Sequence, residues 1–297
     1  MTTIAWCLKR VNWLVLIALT PAFLHAQTGK VFDSLSMPSE ILKSERKYAI
    51  YLPPDYETSQ RSYPVLYLLH GGGDDQTGWI QFGEVLHIAD KAINAGTATP
   101  MIIAMPDANT GRRGYWNDIL GEWRYEDFIF EEFIPYVEKR YRIKGEKRYR
   151  AIAGLSMGGE GTYLYAFRHP EMFSSACPLS AGTGPRTPED IVNRIRRYGP
   201  ETADGLADSL IKDYHRRHSA LALVETIPAD TLKTVRWYID CGDDDFLFEG
   251  NALMHITMRK KEIPHEYRVR DGGHGWTYWR TALPEVLKFV SDAFHQR

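Results

Sequence analysis

One stretch constrains this chain more than any other. Residues 149–168, YRAIAGLSMGGEGTYLYAFR, read as a short apolar strand, a glycine-dense turn carrying one serine, and then a helix. Gly154, Ser156 and Gly158 form a G-x-S-x-G, with Gly159 added. A serine at the apex of a sharp strand-to-helix turn sits in strained backbone, and its neighbours must approach closely without a Cβ. Such a turn lifts the hydroxyl out of a sheet and sets it at a helix N-terminus, where free N–H groups and the helix dipole favour developing negative charge. The same residues also suit a plain glycine turn with a capping serine, so the surroundings must decide.

Those surroundings alternate between two periods. Continuous apolar runs of β type recur at residues 64–69 (PVLYLL), 101–105, 151–153, 173–179 and 235–241, with a shorter one at 265–269. Runs without polar alternation fit strands covered on both faces. Helical patterns fall between them at residues 84–96, 125–141, 250–262 and 279–295. Pro135 is a candidate kink in the second, and Pro284 lies in the first turns of the last. Residues 30–52 suggest strands, with 36–43 and 47–52 pairing as a hairpin. The alternation predicts a mostly parallel central sheet with helices on both faces. Residues 181–231 are polar and helical in pattern, and read either as a cap over a site or as surface packing. There are no internal repeats and no stretch biased enough to be a linker.

The first residues stand outside this pattern. Lys9 and Arg10 precede an apolar run over residues 11–24, and His25-Ala26-Gln27 offers a small-residue cleavage site. That is the layout of a secretory signal peptide over residues 1–26, leaving 27–297 as one domain, secreted or periplasmic. Asn12 and Pro21 interrupt the run, which is shorter than the ~20 apolar residues a span needs, so the alternative of an uncleaved anchor is the weaker one. No later segment is apolar enough to insert in a membrane. The formal net charge is -2 with Lys and Arg scattered, which leaves no nucleic-acid footprint. Beyond Cys7 the chain holds Cys177 and Cys241, each at the end of a predicted strand. They read as buried free thiols unless the strands are neighbours in a geometry that allows a bond.

Sites in open α/β sheets form at the carboxyl ends of strands. Four such ends carry reactive or glycine-rich loops, and their order along the chain, Ser156, then Asp243-Asp244-Asp245, then His274, is that of α/β-hydrolases. A serine hydroxyl needs a base to attack an ester, and His274, in a glycine-flanked loop after the last strand, is the candidate. The base needs a carboxylate to hold its tautomer. Any of the three aspartates fits by spacing, and Asp245 is preferred because the apolar Phe246-Leu247 would bury it. Oxyanion donors are expected from the N–H of Met157 and from the His70-Gly71-Gly72-Gly73 loop, Gly72 first and Gly71 close behind. No Cys/His spacing suggests a metal site, and the chemistry needs no cofactor.

Six stretches then become recognisable together: YAIYLPPDY, YPVLYLLHGGGDDQTGW, EEFIPYVEKRYRI, AIAGLSMGGEGTYLYAFRHPEMF, YIDCGDDDFLFEGN and GGHGWTYWR. In order and content the chain resembles the secreted esterase family that includes feruloyl and acetyl xylan esterases, S-formylglutathione hydrolases, enterochelin esterases and mycolyltransferases. The resemblance runs over residues 48–280 and implies an α/β-hydrolase fold, Ser156 as nucleophile, His274 as base, and the last aspartate of GDDD, Asp245, as acid. It also implies oxyanion donors at Met157 and in the HGGG loop. Residues 181–231 match none of the family's stretches. The H-x-W-x-x-W of His274, Trp276 and Trp279 is similar to the polysaccharide-directed members. Trp276 and Trp116, with Trp123 and Tyr115, are therefore candidate platforms for a sugar or a phenolic acyl group, whereas Trp279 reads as core. The expected partner is an acylated plant cell-wall polysaccharide or oligosaccharide, hydrolysed at feruloyl or acetyl esters. Alternatives are acyl transfer to a sugar hydroxyl and a silent carbohydrate-binding relative.

Overall fold

The computed structural model describes residues 28–108, 114–198 and 205–295. The leader expected over residues 1–26 lies outside them. Eight strands form one sheet: β1 (Lys30–Ser39), β2 (Ser44–Leu52), β3 (Val65–Leu69), β4 (Ile102–Pro106), β5 (Arg150–Leu155), β6 (Ser175–Leu179), β7 (Arg236–Gly242) and β8 (His265–Arg270). Their order across the sheet is β1-β2-β4-β3-β5-β6-β7-β8. β1 and β2 form an antiparallel hairpin, β2 meets β4 antiparallel, and every pair from β4 to β8 is parallel. Among the helices are α1 (Val85–Asn94), α2 (Ile134–Arg140), α3 (Met157–Arg168), α4 (Pro188–Tyr198), α5 (Asp208–His218), α6 (Ala220–Thr226), α7 (Phe248–Lys260) and α8 (Trp276–His295). No helix among the described residues is long and apolar enough to cross a membrane.

Side chains alternate across a pleated strand, and that alternation sorts the core into two layers. Val65, Tyr67 and Leu69 of β3 enter one layer, with Val137, Tyr163, Phe167, Met254 and Met258 of α2, α3 and α7. Leu66 and Leu68 enter the other, with Val85 and Ala89 of α1 and Leu283, Val286, Leu287 and Val290 of α8. Each fully buried Leu, Val or Phe contributes about 1.5–3 kcal/mol relative to exposure, before conformational entropy is counted. Cys177 belongs to the second layer with Tyr238. Cys241 lies three residues beyond Tyr238 on β7 and therefore points to the opposite face. Both thiols are free and buried, because the sheet stands between them.

The expected helix over residues 125–141 is continuous but not uniform. It opens as Tyr125–Asp127, widens to a π-helix over Phe128–Phe133, and resumes as α2. Pro135 has no N–H to donate and its ring crowds the carbonyl four residues back, so the turn before it opens: the Ile134 N–H bonds to Ile129 O, five residues back. Between β6 and β7 the polar segment folds into α4, α5 and α6. His218 ends α5 and docks it on α3. Its Nδ1–H donates to Tyr214 O at 2.9 Å, its Nε2 faces Arg168 Nη1 at 3.4 Å, and its ring stacks on Tyr214 with centroids 3.7 Å apart.

Burial, reinforced by the Arg168 charge, lowers the His218 pKa from 6.5 to about 3. Unfolded, the ring takes up its proton near pH 6.5; folded, it stays neutral until far lower pH. Unfolding therefore takes up a proton throughout that interval, and stability is intact above about pH 6.5 and falls as pH drops below it, by about 1.4 kcal/mol per pH unit for one proton. Urea unfolding followed from neutral pH downward is expected to show this slope in the wild type. In His218→Gln the slope is expected to be smaller by one proton; parallel curves would place His218 outside the acid response.

Candidate active site

The site begins with strained backbone. Ser156 stands between β5 and α3 at φ 54° and ψ −113°, a conformation that costs an L-residue on the order of 1–3 kcal/mol. Hydrogen bonds to the β6 loop and to α3 hold it there. The Ser156 N–H donates to Leu179 O at 2.9 Å, and its carbonyl accepts from Gly182 N–H at 3.1 Å and Glu160 N–H at 3.0 Å. The motif glycines are needed for space. A Cβ on Gly154 would fall 2.4 Å from Gly158 O, one on Gly158 2.6 Å from the carbonyl oxygens of Leu69 and His70, and one on Gly159 2.6 Å from Ala181 Cβ.

Two more loops converge on this serine. His274 Nε2 lies 2.9 Å from Ser156 Oγ, and its Nδ1 lies 3.0 and 2.9 Å from the two carboxylate oxygens of Asp245. The loops after β7 and β8 are stitched by backbone. Asp243 N–H donates to Arg270 O at 3.1 Å, Asp244 N–H to Gly272 O at 3.2 Å, and Gly272 N–H to Asp243 Oδ1 at 3.1 Å. Of the three aspartates, Asp243 and Asp244 are exposed and only Asp245 is buried against the imidazole. Burial pushes the Asp245 carboxyl upward. Hydrogen bonds from His274, the Leu247 N–H and the Ser180 hydroxyl outweigh it and hold the group below the usual carboxylate range, so it is ionised at neutral pH.

Ser180 was not anticipated from sequence. It is buried, at φ 42°, and its Oγ also accepts the indole N–H of Trp279 at 3.0 Å. Its signal was its place: it follows β6 at the same sheet edge as the other loops. Asp240, fully buried on β7, was missed as well. It takes Arg270 Nη2 and Tyr238 Oη at 2.8 Å and also the Tyr278 hydroxyl, tying β7 to β8 and α8 beneath the acid and base.

The anion side is built from α3 and the loop after β3. The first N–H groups of a helix have no intrahelical acceptor, and Met157 opens α3 beside Ser156. A Cβ on Gly71 would come within 3.6 Å of Ser156 Cβ, which places the HGGG loop against the serine. Gly71 O accepts from the Asp74 N–H at 3.3 Å, and Gly72 is exposed with nothing within 4 Å of where its Cβ would stand. The loop is pinned by His70. Its Nδ1–H donates to Gly71 O, its Nε2 accepts from Ala108 N–H, and its backbone N–H donates to Tyr115 Oη, each at 2.8 Å. Both ring nitrogens are thus used in the neutral form, and burial lowers the pKa in keeping with that.

A family model described as "Putative esterase" matches residues 39–290. The chain belongs to this esterase family. An esterase of Mycobacterium tuberculosis is 40% identical over 247 residues, covering 76% of this chain and 51% of the relative. An endo-1,4-beta-xylanase/feruloyl esterase of Xylanibacter ruminicola is 38% identical over 149 residues, covering 48% of this chain and 20% of the relative. The chain thus spans about half the length, or less, of these curated relatives. A solved ferulic acid esterase superposes with a TM-score of 0.78 at 36% identity, covering 90% of this chain and 99% of that one. The sheet order and the helices on both faces are those of the α/β-hydrolase fold this esterase family uses.

The aromatic residues of this chain divide into two groups. Trp276 is half-buried and packs edge-on against Trp79 and Trp279, with centroids 5.2 and 5.3 Å away. Trp279 is core, as expected, but its ring also meets His274 edge-on at 5.0 Å. On the other side Trp116 is only 8% exposed, and the Arg194 guanidinium of α4 lies 4.8 Å over its ring. The ring face a ligand would stack on is therefore taken. Tyr115 is fully buried as the brace of His70, and Trp123 stacks on Tyr125 with the Arg46 guanidinium 5.7 Å over it. Arg194 also approaches the buried Glu160 carboxylate at 3.8 Å, so a single cation fastens α4 to α3 and to Trp116.

The division among the aspartates is directly testable. Asp245→Asn is expected to lower kcat for p-nitrophenyl acetate by on the order of 10⁴, because the amide no longer fixes the imidazole tautomer. Asp244→Asn should keep turnover. Equal losses in the two variants would remove Asp245 from its assigned place.

Proposed function

We propose that this chain hydrolyses carboxylic esters through an acyl-serine formed on Ser156. The observation that carries the reading is the unbroken run of hydrogen bonds from Ser156 Oγ through His274 to the buried Asp245 carboxylate, each at 3.0 Å or less. Ser156 Oγ attacks the ester carbonyl carbon as His274 Nε2 takes its proton. Asp245 holds Nδ1–H and stabilises the imidazolium. The carbonyl electron pair moves to oxygen, where the N–H groups of Met157 and Gly72 receive the charge. When the pair returns, the C–O bond to the alcohol breaks and His274 Nε2–H protonates the departing alkoxide. His274 then deprotonates water, which attacks the acyl-serine. Collapse of the second tetrahedral species releases the carboxylic acid and returns the proton to Ser156.

The proposed substrates are feruloyl or acetyl esters on plant cell-wall polysaccharide or its fragments. Support comes from the chain's likeness to proteins named xylanase/feruloyl esterase and ferulic acid esterase. The leader-like pattern of residues 1–26 supports action outside the cytoplasm. Residues 181–231 act in this reading as a cap, with Arg194 as its fastening to the core.

The test is turnover of p-nitrophenyl acetate, methyl ferulate and acetylated xylan by the protein beside Ser156→Ala. Loss of a nucleophile of this kind costs on the order of 10⁶ in kcat, so activity is expected to vanish in the variant. The best substrate names the acyl group. Activity that survives Ser156→Ala undiminished would sink the mechanism, and silence on all three esters would sink the substrate class.

A further inference from the structure

Phe246 is 75% exposed, more than any other large apolar side chain among the described residues, and it sits beside the proposed base. Its ring tilts over His274 with centroids 4.4 Å apart. Sequence reasoning expected Phe246 to cover Asp245; instead the carboxylate turns inward and the ring projects outward. The ring is held in place. Phe248 N–H donates to Asp245 O at 2.9 Å, closing a tight turn with Phe246 and Leu247 at its centre. Leu247 has φ −93° and ψ 3°, as the second central residue of a type I turn does. Its N–H bonds to Asp245 Oδ1 at 2.8 Å. The carboxylate that holds His274 therefore also fixes the turn that presents Phe246.

From His274 the ring contacts run on through Trp279 to Trp276, with centroids 5.0 and 5.3 Å apart. Phe82, 48% exposed, tilts against the half-buried Trp276 with centroids 5.9 Å apart. Its backbone is pinned to α8 by Arg280 Nη1, which donates to Phe82 O at 3.0 Å. A Cβ on Gly83 would stand 2.9 Å from the Trp276 ring, so only glycine admits that packing.

Chemistry says which half of an ester lies here. His274 Nε2–H must reach the leaving oxygen, so the alcohol departs along the imidazole, while the carbonyl oxygen turns to Met157 and the HGGG loop. We propose that Phe246, continued by Trp276 and Phe82, is the alcohol subsite of this chain: a stacking platform for the sugar ring that leaves, distinct from the surface that receives the acyl group. The inference rests on the esterase reading for its orientation. Aromatic faces suit the C–H face of a sugar, and a preorganised ring loses little conformational freedom on binding.

Two esters of one acid separate the halves: methyl ferulate, and ferulate esterified to an arabinoxylo-oligosaccharide. Phe246→Ala is expected to lower kcat/KM for the sugar ester about 10-fold more than for the methyl ester, chiefly through KM, as loss of one stacking contact worth ~1.4 kcal/mol does. Phe246→Trp should recover the preference. Equal losses on both esters, or a fall confined to kcat, would make the ring a mere support of His274 and overturn the proposal. A second measurement needs no turnover. Ser156→Ala titrated calorimetrically with the deacylated arabinoxylo-oligosaccharide is expected to bind it and to lose that binding at least 10-fold when Phe246→Ala is added. Absent binding, or binding indifferent to Phe246, would overturn the platform even if ester hydrolysis stands.

Discussion

Gly242 and Gly272 meet so closely that a Cβ on the first would fall 1.9 Å from the carbonyl oxygen of the second. This contact joins the end of β7 to the loop after β8, and the rest of the site follows from it. Asp243 and Asp244 bind back to that loop through their N–H groups, which turns the chain so that Asp245 arrives under His274. The imidazole then reaches Ser156 without a long flexible arm. Any side chain on Gly242 would part the loops by an ångström or more. Both the Asp245–His274 and the His274–Ser156 hydrogen bonds would then stretch past useful length.

The polar groups beneath these loops are buried and bonded to one another. Asp240 is fully buried and bonded to Arg270, Tyr238 and Tyr278, while the buried Ser180 Oγ accepts from the Trp279 indole. A buried charge without partners is costly, and one with several is a rigid anchor. The strain at Ser156 and Ser180 is tolerated because these anchors and the parallel strands over-determine the backbone around them. On the anion side His70 does the same with a neutral ring, fastening the HGGG loop to Ala108 and Tyr115. The site is thus fixed from five strand ends, those of β3, β5, β6, β7 and β8, before any ligand enters.

Much of this was legible because burial leaves a plain trace. The apolar runs of β3 to β7 are covered on both faces, so their strands could be read within a residue or two. The hairpin was less clear: most of β1 is exposed and β1 reaches back to Lys30, where the hydrophobic signal is thin. α8 begins at Trp276 rather than Trp279, since the glycines before it mask its first turn. The glycine spacing pointed to the elbow, and the order of strand-end loops pointed to the serine, histidine and aspartate. Residues 181–231 were legible as helices but not in their placement: α4 and α5 add Arg194 on Trp116 and His218 on Arg168 to the few apolar side chains they bury, Ile191, Ile211 and Tyr214, and such partners lie far off in the sequence. The resemblance made Tyr115 and Trp116 platforms, while apolar character made Phe246 a cover for Asp245. Exposure is set by what packs above each ring, and that depends on distant segments.

The site that results is lopsided, and the proposed reaction gives the asymmetry a use. On the His274 side the rings of Phe246 and Phe82 stand in solvent on rigid backbone, open to an alcohol of any length. On the Trp116 side α4 lies over the core, held by Arg194 between an aromatic face and a buried carboxylate. A polysaccharide chain can lie along an open surface but cannot thread beneath a fastened helix. In the proposed reaction the leaving sugar therefore belongs to the open side. The smaller acyl group is the half that a closed wall can measure. In that reading Arg194 and Glu160 belong to the wall and stand apart from the residues that act on the ester bond itself.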